Sequence, residues 1–286
     1  MAISDSHRLG QSIGIMLERA IQPQLRTVLG PTHFLDSVNT HRSIRGKKVT
    51  WNDMFGNKHD LDFVIEQNGT DSSFGKPKAF IECAWRRYTK HSKNKAQEIQ
   101  GAILPLAQTF SSEKPFLGAI LAGEFTTPSL LQLTSYGFTV LHISYQEILQ
   151  AYSSIGVDIS YDEGTSLSDL KYKADSLENL TLLQQNLVIQ YLYTLIQPKL
   201  NNFLMQLQAS LNRIISKIII QPLYGSNELF TDVSLARTYL SGLNLSVTPN
   251  NLSFEKLFIY IEYSNGDNLR AEFGTTIDAL NFLANF

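Results

Sequence analysis

Two apolar rhythms alternate along the first half of the chain. Ile13, Met16, Leu17, Ala20 and Ile21 recur at helical spacing and predict a helix over Ile13–Leu29. Lys47–Asp53 alternates as a strand does, Phe55-Gly56-Asn57 reads as a turn, and His59–Glu66 reads as a second strand, so a hairpin is expected. Gln67–Pro77 gathers Gly, Ser, Asn and Asp and reads as a loop. Lys78–Trp85 is a third strand. Lys93–Phe110 places Ala96, Ile99, Ile103, Leu106 and Ala107 on one helical face, with Pro105 as a kink point. Phe116–Ala122 reads as a buried strand in which Gly118 permits close approach. Pro128–Ser135 is a short helix and Gly137–Ile143 a further strand. The order α-β-β-β-α-β-α-β predicts an α/β fold, a mixed sheet flanked by helices.

The second half is patterned differently. Ser153–Lys173 is polar and weakly periodic, and Leu177–Ile196 and Leu200–Ile220 read as long helices broken at Pro198. The aromatic stretch around Tyr191 and Tyr193 suits a core or a dimer interface. Leu257–Tyr263 and Leu269–Phe273 flank Asn265-Gly266, a strong hairpin signal. Thr276–Asn285 reads as a closing helix capped by Thr275 or Thr276. The expected organisation is an α/β core over residues 1–150 and a helical and β-hairpin extension over 151–286, serving dimerisation or DNA recognition.

A chain of 286 residues can bury a large core, and its 43% hydrophobic and 17% charged content are those of a globular protein. The net charge of −2 excludes a uniformly basic surface, so any nucleic-acid contact must be a local patch. The single cysteine, Cys83, excludes an internal disulfide and a Cys-rich zinc site. The opening residues do not read as a signal peptide, and no apolar run approaches the ~18 residues of a membrane span, so a cytoplasmic location is expected. The Asn-x-Ser/Thr triplets at Asn68, Asn179, Asn244 and Asn251 carry no weight in that setting.

Two strands carry acidic residues that an apolar run does not need: Asp60 and Asp62 before Phe63-Val64-Ile65, and Glu82 within Ala79–Trp85. A carboxylate on a half-buried strand is costly unless it is paired, hydrogen-bonded or metal-bound. If the strands are neighbours, Asp62 and Glu82 can converge on one Mg²⁺, which prefers carboxylate and water oxygens. Such an ion beside a phosphodiester can activate water and neutralise the leaving oxygen. A basic run, Arg86, Arg87, Lys90, His91, Lys93 and Lys95, follows the third strand where a phosphate backbone would need neutralising, and Arg42, Arg45, Lys47 and Lys48 form a second candidate patch. The plain alternative is that these charges sit on solvated edges and loops. Trp85 and Tyr88 read as packing residues, Cys83 as a core thiol on the face opposite Glu82, and His142 as a satisfied core histidine.

The stretch from about residue 10 to 145 resembles the PD-(D/E)xK nuclease superfamily, which includes many type II restriction endonucleases. Asp62 matches the motif aspartate and Glu82 the second acidic residue. Glu18 matches the glutamate often found on the first helix, and Gln97 or Glu98 the polar residue on the helix after the motif. The resemblance implies a restriction-endonuclease-like fold, Mg²⁺ held by Asp62 and Glu82 with Glu18 or Glu98 assisting, duplex DNA as substrate and a homodimer. Leu61 stands where proline is usual, a minor departure. Ala84 stands where the motif lysine belongs. Lys78, Arg86 or Lys90 would then supply the charge, although arginine does not deprotonate and would act only electrostatically. Phosphate contacts are expected from Arg86, Arg87, Lys90, Lys93, Lys95, Arg45, Lys47 and Lys48. Three rivals follow: a nuclease-fold protein that binds DNA without cutting it, a repair nuclease that reads DNA structure, and a module whose acidic strands are incidental.

Overall fold

The computed structural model describes residues 4–223, 227–245 and 254–286; Asn251 lies outside them. Two compact units result, Met1–Leu211 and Asn212–Phe286. The division therefore falls at 211/212 rather than at 150/151.

In the first unit, helix α1 (Asp5–Arg26) starts at Ser4, whose side chain accepts from the His7 N–H. Its buried stripe of Leu9, Ile13, Met16, Leu17, Ala20, Ile21 and Leu25 lies in one core cluster with Phe63, Ile65, Ala79, Ile81 and Trp85 of the sheet. The strands are β1 (His33–Ser37), β2 (Val49–Asn52), β3 (Lys58–Leu61), β4 (Phe63–Gln67), β5 (Lys76–Arg86), β6 (Phe116–Gly123) and β7 (Thr139–Ser144). The main sheet has the order β1-β4-β5-β6-β7, antiparallel from β1 to β5 and parallel from β5 to β7. Helices α2 (Ser92–Thr109) and α3 (Thr127–Ser135) cover the opposite face, with Ala96, Ile99, Ile103 and Leu133 packed among Val64, Phe80 and Ala84. The chain is thus α/β, a mixed sheet between helical layers. Gly118 is required on β6: a Cβ there would lie 2.8 Å from Ile81 Cγ1 and 3.1 Å from Phe203 Cζ.

Two expectations need correction, and one strand is unexpected. The single strand His59–Glu66 is two strands that part at Asp62: β3 pairs with β2 in a small separate sheet, while β4 joins the main one. Strand β1 lies where no element was expected; its acidic Asp36 is fully buried, neutralised by Arg42 and Arg45. Helix α6 (Leu182–Leu211) runs through Pro198 without ending, because Ile196, Leu200, Phe203 and Leu207 are all buried. Helices α4 (Tyr145–Ser153) and α5 (Leu167–Glu178) complete the unit. The polar segment before α6 does contain a helix, α5, capped by Ser166.

The second unit holds β8 (Ile215–Pro222), β9 (Glu228–Phe230), α7 (Val233–Gly242), β10 (Leu257–Tyr263), β11 (Asn268–Phe273) and α8 (Thr276–Leu283). The Ile-rich run read as the end of a helix is strand β8. The sheet is antiparallel with the order β11-β10-β8-β9, and β10 and β11 form the expected hairpin, with Gly266 at φ +86°. Ala236, Leu240, Ala279 and Leu283 pack α7 and α8 onto Ile218, Ile220, Ile259 and Ile261. Thr275 caps α8, accepting from the Asp278 N–H.

Candidate active site

Asp62 stands where the chain leaves the small hairpin and enters the main sheet. The last pair of the β4–β5 ladder is Phe63 with Ile81, so one step further sets Asp62 across from Glu82. The Cys83 N–H donates to Asp62 Oδ2 at 2.7 Å. The two carboxyl groups are close enough to interact electrostatically. Burial pushes both upward from the usual carboxylate range, Glu82 furthest, because it is 8% exposed and also feels the charge of Asp62.

Glu18 comes to the same place from α1. Its carboxyl is pushed up to about 7, first by burial and then by the charge of Asp62, and it in turn acts on Glu82. The expected trio Glu18, Asp62 and Glu82 is therefore one electrostatic group drawn from a helix, a strand junction and a strand.

A cation reaches this group from α2. Helix α2 lies on the sheet face that carries Phe80 and Ala84, and Ala84 and Ala96 share one buried cluster. Lys95, next to Ala96, has a side chain only 19% exposed, and its charge favours the ionised forms of both Asp62 and Glu82. The residue at the motif-lysine position is thus a small side chain facing the helix that delivers a lysine. Lys95 also meets Glu98 Oε2 at 3.4 Å, and Arg86 meets the same carboxylate at 3.4 Å, so Glu98 is an exposed outer partner of the group.

The three residues expected to replace the motif lysine have other partners. Lys78 bonds Glu113 at 2.7 Å; four strand residues from Glu82, it sits roughly 13 Å along β5. Lys90 pairs with Glu163 at 2.7 Å, both exposed. Arg86 donates to the Trp85 carbonyl oxygen and to Glu98. The residue that sequence reasoning missed for this role is Lys95, read there only as a phosphate contact.

The basic patches divide likewise. Arg45 is bound to Asp36 and to the carbonyl oxygens of Ser37 and Thr40, and Arg42 is buried between Asp36 and Glu66, so both guanidinium groups hold the fold together. Arg87 donates to the Tyr161 carbonyl oxygen and lies over the Tyr145 ring at 4.0 Å. Lys48 is paired with Asp60. Lys47 and Lys93 are exposed and pair with no carboxylate among the described residues. His142 bonds the Gly123 carbonyl oxygen at 3.0 Å, in keeping with a satisfied histidine.

Among the described residues, no three His, Cys, Asp or Glu side chains form a ready-made metal cage. The donors are a facing pair with a third carboxyl behind it. That set fits Mg²⁺, which commonly takes one or two carboxylates and completes its shell with water and phosphate oxygens. Charge supports the fit: three carboxylates against the Lys95 ammonium leave two negative charges when all are ionised, a large excess for a largely buried site. No protein-family model, no curated protein and no solved structure matches the chain. No helix among the described residues is long and apolar enough to cross a membrane.

Proposed function

We propose that this chain is a Mg²⁺-dependent endonuclease of restriction-endonuclease-like fold, hydrolysing phosphodiester bonds in duplex DNA as type II restriction enzymes do. The observation that carries the reading is the buried Asp62–Glu82 pair at the end of the β4–β5 ladder, with the charge of Lys95 on α2 acting on both carboxyl groups. Asp62 and Glu82 would hold the ion, which competes with protons for carboxylates whose pKa burial has raised. A Mg²⁺ held by Asp62 and Glu82 would supply Lewis-acid chemistry, polarising the phosphate and acidifying water. The Cys83 N–H holds Asp62 in place for that task. Lys95 supplies the positive charge that Ala84 cannot, close to where negative charge grows on the phosphate. Unlike an arginine, it can also exchange a proton. Glu18, with a carboxyl near 7, is suited to take up a proton from water at neutral pH.

Exposed Lys93, two residues before Lys95 on α2, and Lys47 are the phosphate contacts this reading retains. A homodimer is the simplest way to cut both strands. The test is plasmid cleavage with and without Mg²⁺ by the wild type and by Asp62→Ala. Cleavage that needs Mg²⁺ and vanishes in the variant supports the reading; cleavage unchanged by the substitution rejects it. Ala84 favours one second reading, a DNA-binding protein of the same fold that does not cut. DNA retention without cleavage under Mg²⁺ or Mn²⁺ selects it.

A further inference from the structure

In the C-terminal unit both helices pack on one face of the sheet, and among the described residues no element of that unit packs on the other. Across that open face the registers align Leu229 of β9, Ile219 of β8, Tyr260 of β10 and Arg270 of β11 in one row. The neighbouring row is Gln221, Phe258 and Glu272, and the next is Lys217, Glu262 and Asn268. Phe258 and Tyr260 therefore stand two residues apart on a central strand, partly exposed, with their rings on the solvent side. Each has a cation beside it: Lys256 Nζ lies 5.5 Å from the Phe258 ring centroid, and Arg270 Cζ lies 5.4 Å from that of Tyr260. Leu229, at 59% exposure, extends the apolar row to the sheet edge.

The charges on this face are unequal in their freedom. Lys217 is matched by Glu262 at 3.3 Å and Lys256 by Glu272 at 2.6 Å. Arg270 is exposed and has no carboxylate partner among the described residues, so the net charge left on the face is positive. Two neighbouring rings on an open antiparallel sheet, with an unmatched guanidinium at the edge, complement successive nucleobases and the phosphate that joins them. A Watson–Crick duplex keeps its base faces stacked on one another and cannot present them to such rings.

We propose that the open face of the C-terminal sheet binds single-stranded nucleic acid, stacking bases on Phe258 and Tyr260 and meeting a phosphate with Arg270. This site goes beyond the nuclease reading and does not depend on it, since none of its residues belongs to the carboxylate group.

The test is fluorescence anisotropy of a labelled 20-nucleotide oligo(dT) with the full chain in EDTA, over a range of salt concentrations. The Phe258→Leu/Tyr260→Leu double variant keeps apolar bulk on the sheet but loses the aromatic faces. Its affinity is expected to fall about tenfold or more, with an unchanged Tm. Arg270→Ala is expected to lower the slope of log K against log salt by roughly 0.7, the single-strand value for one phosphate contact. Asp62→Ala is expected to bind as the wild type does, which separates this site from the metal site. Wild-type affinity in the double leucine variant, an unchanged salt slope in Arg270→Ala, or equal competition by unlabelled duplex would each overturn the proposal, as would no binding of oligo(dT) by the wild type.

Discussion

Asp62 lies across from Glu82 just beyond the last rung of the β4–β5 ladder, tied to the next residue of β5 by the Cys83 N–H at 2.7 Å. Such an arrangement is costly for stability and useful for function, because two carboxyl groups are held together that would otherwise repel. Asp62→Asn keeps an oxygen for the Cys83 N–H and removes one charge. Without metal, its Tm is expected to equal or exceed that of the wild type. With Mg²⁺ at about a hundredfold excess over Kd, the wild type should gain about 2.7 kcal/mol and the variant nothing. Thermal denaturation with and without Mg²⁺ reads both effects, and an equal Mg²⁺ shift in the variant would place the ion elsewhere.

The same group sets a pH dependence. Glu18, Asp62 and Glu82 all have folded pKa values raised by burial, and the charge of Asp62 adds to the rise at Glu18 and Glu82. The folded chain then holds protons that the unfolded chain has released, so metal-free stability falls as pH rises. For Glu18 that fall begins near the usual 4.5 and is complete above about 7. Glu18→Gln should flatten the slope of Tm between pH 5 and 8 in EDTA, while Mg²⁺, which competes with protons, should stabilise the wild type more at pH 8 than at pH 6. A slope that Glu18→Gln leaves untouched would contradict the burial of its charge.

Arg42 is a structural residue. It is fully buried between Asp36 at 2.9 Å and Glu66, and it also donates to the carbonyl oxygens of Thr70 and Ser73 at 2.8 and 2.6 Å. Arg42→Ala should cost about 3–5 kcal/mol, since it strands the buried Glu66 carboxylate and leaves Asp36 to Arg45 alone. Arg42→Lys should rescue little of that loss, because an ammonium cannot reproduce the planar fork. Lys47→Ala, only a few residues along the chain, should lie within about 0.5 kcal/mol of the wild type. Urea denaturation measures all three.

Among the described residues, Lys93 and Lys47 are exposed cations of the two basic patches without carboxylate partners. Substituting either by alanine should weaken duplex DNA binding and reduce the salt slope by about 1, without loss of stability. Filter binding in Ca²⁺ at several salt concentrations measures the slope. An unchanged slope for both would remove these patches from the DNA surface.

Much of the sheet was legible from alternation and turn residues, because its strands end in Gly, Asn and Pro-rich segments and its helices carry clean apolar stripes. Strand β1 was hidden by Asp36, whose cost in a core becomes tolerable only through Arg42 and Arg45, two residues from a later loop. The Ile-rich run at Ile218-Ile219-Ile220 fits a helix end or a buried strand equally by periodicity, and its pairing with β10 decides between them. Within the site, the placement of Asp62 and Glu82 on or beside acidic-bearing strands followed from local pattern. Lys95 did not, because the motif points along β5, whereas the lysine arrives from a different element. One signal did exist: Lys95 lies four residues before Ile99, on the buried stripe of Ala96, Ile99, Ile103 and Leu106.

The most direct test of this metal site is the initial rate of supercoiled plasmid cleavage in Mg²⁺ for Lys95→Ala beside Lys78→Ala and Lys90→Ala. The carboxylate group facing Lys95 predicts a loss of about 10²–10³-fold for Lys95→Ala and rates near wild type for the other two. Full activity in Lys95→Ala, or a comparable loss in Lys78→Ala, would contradict it.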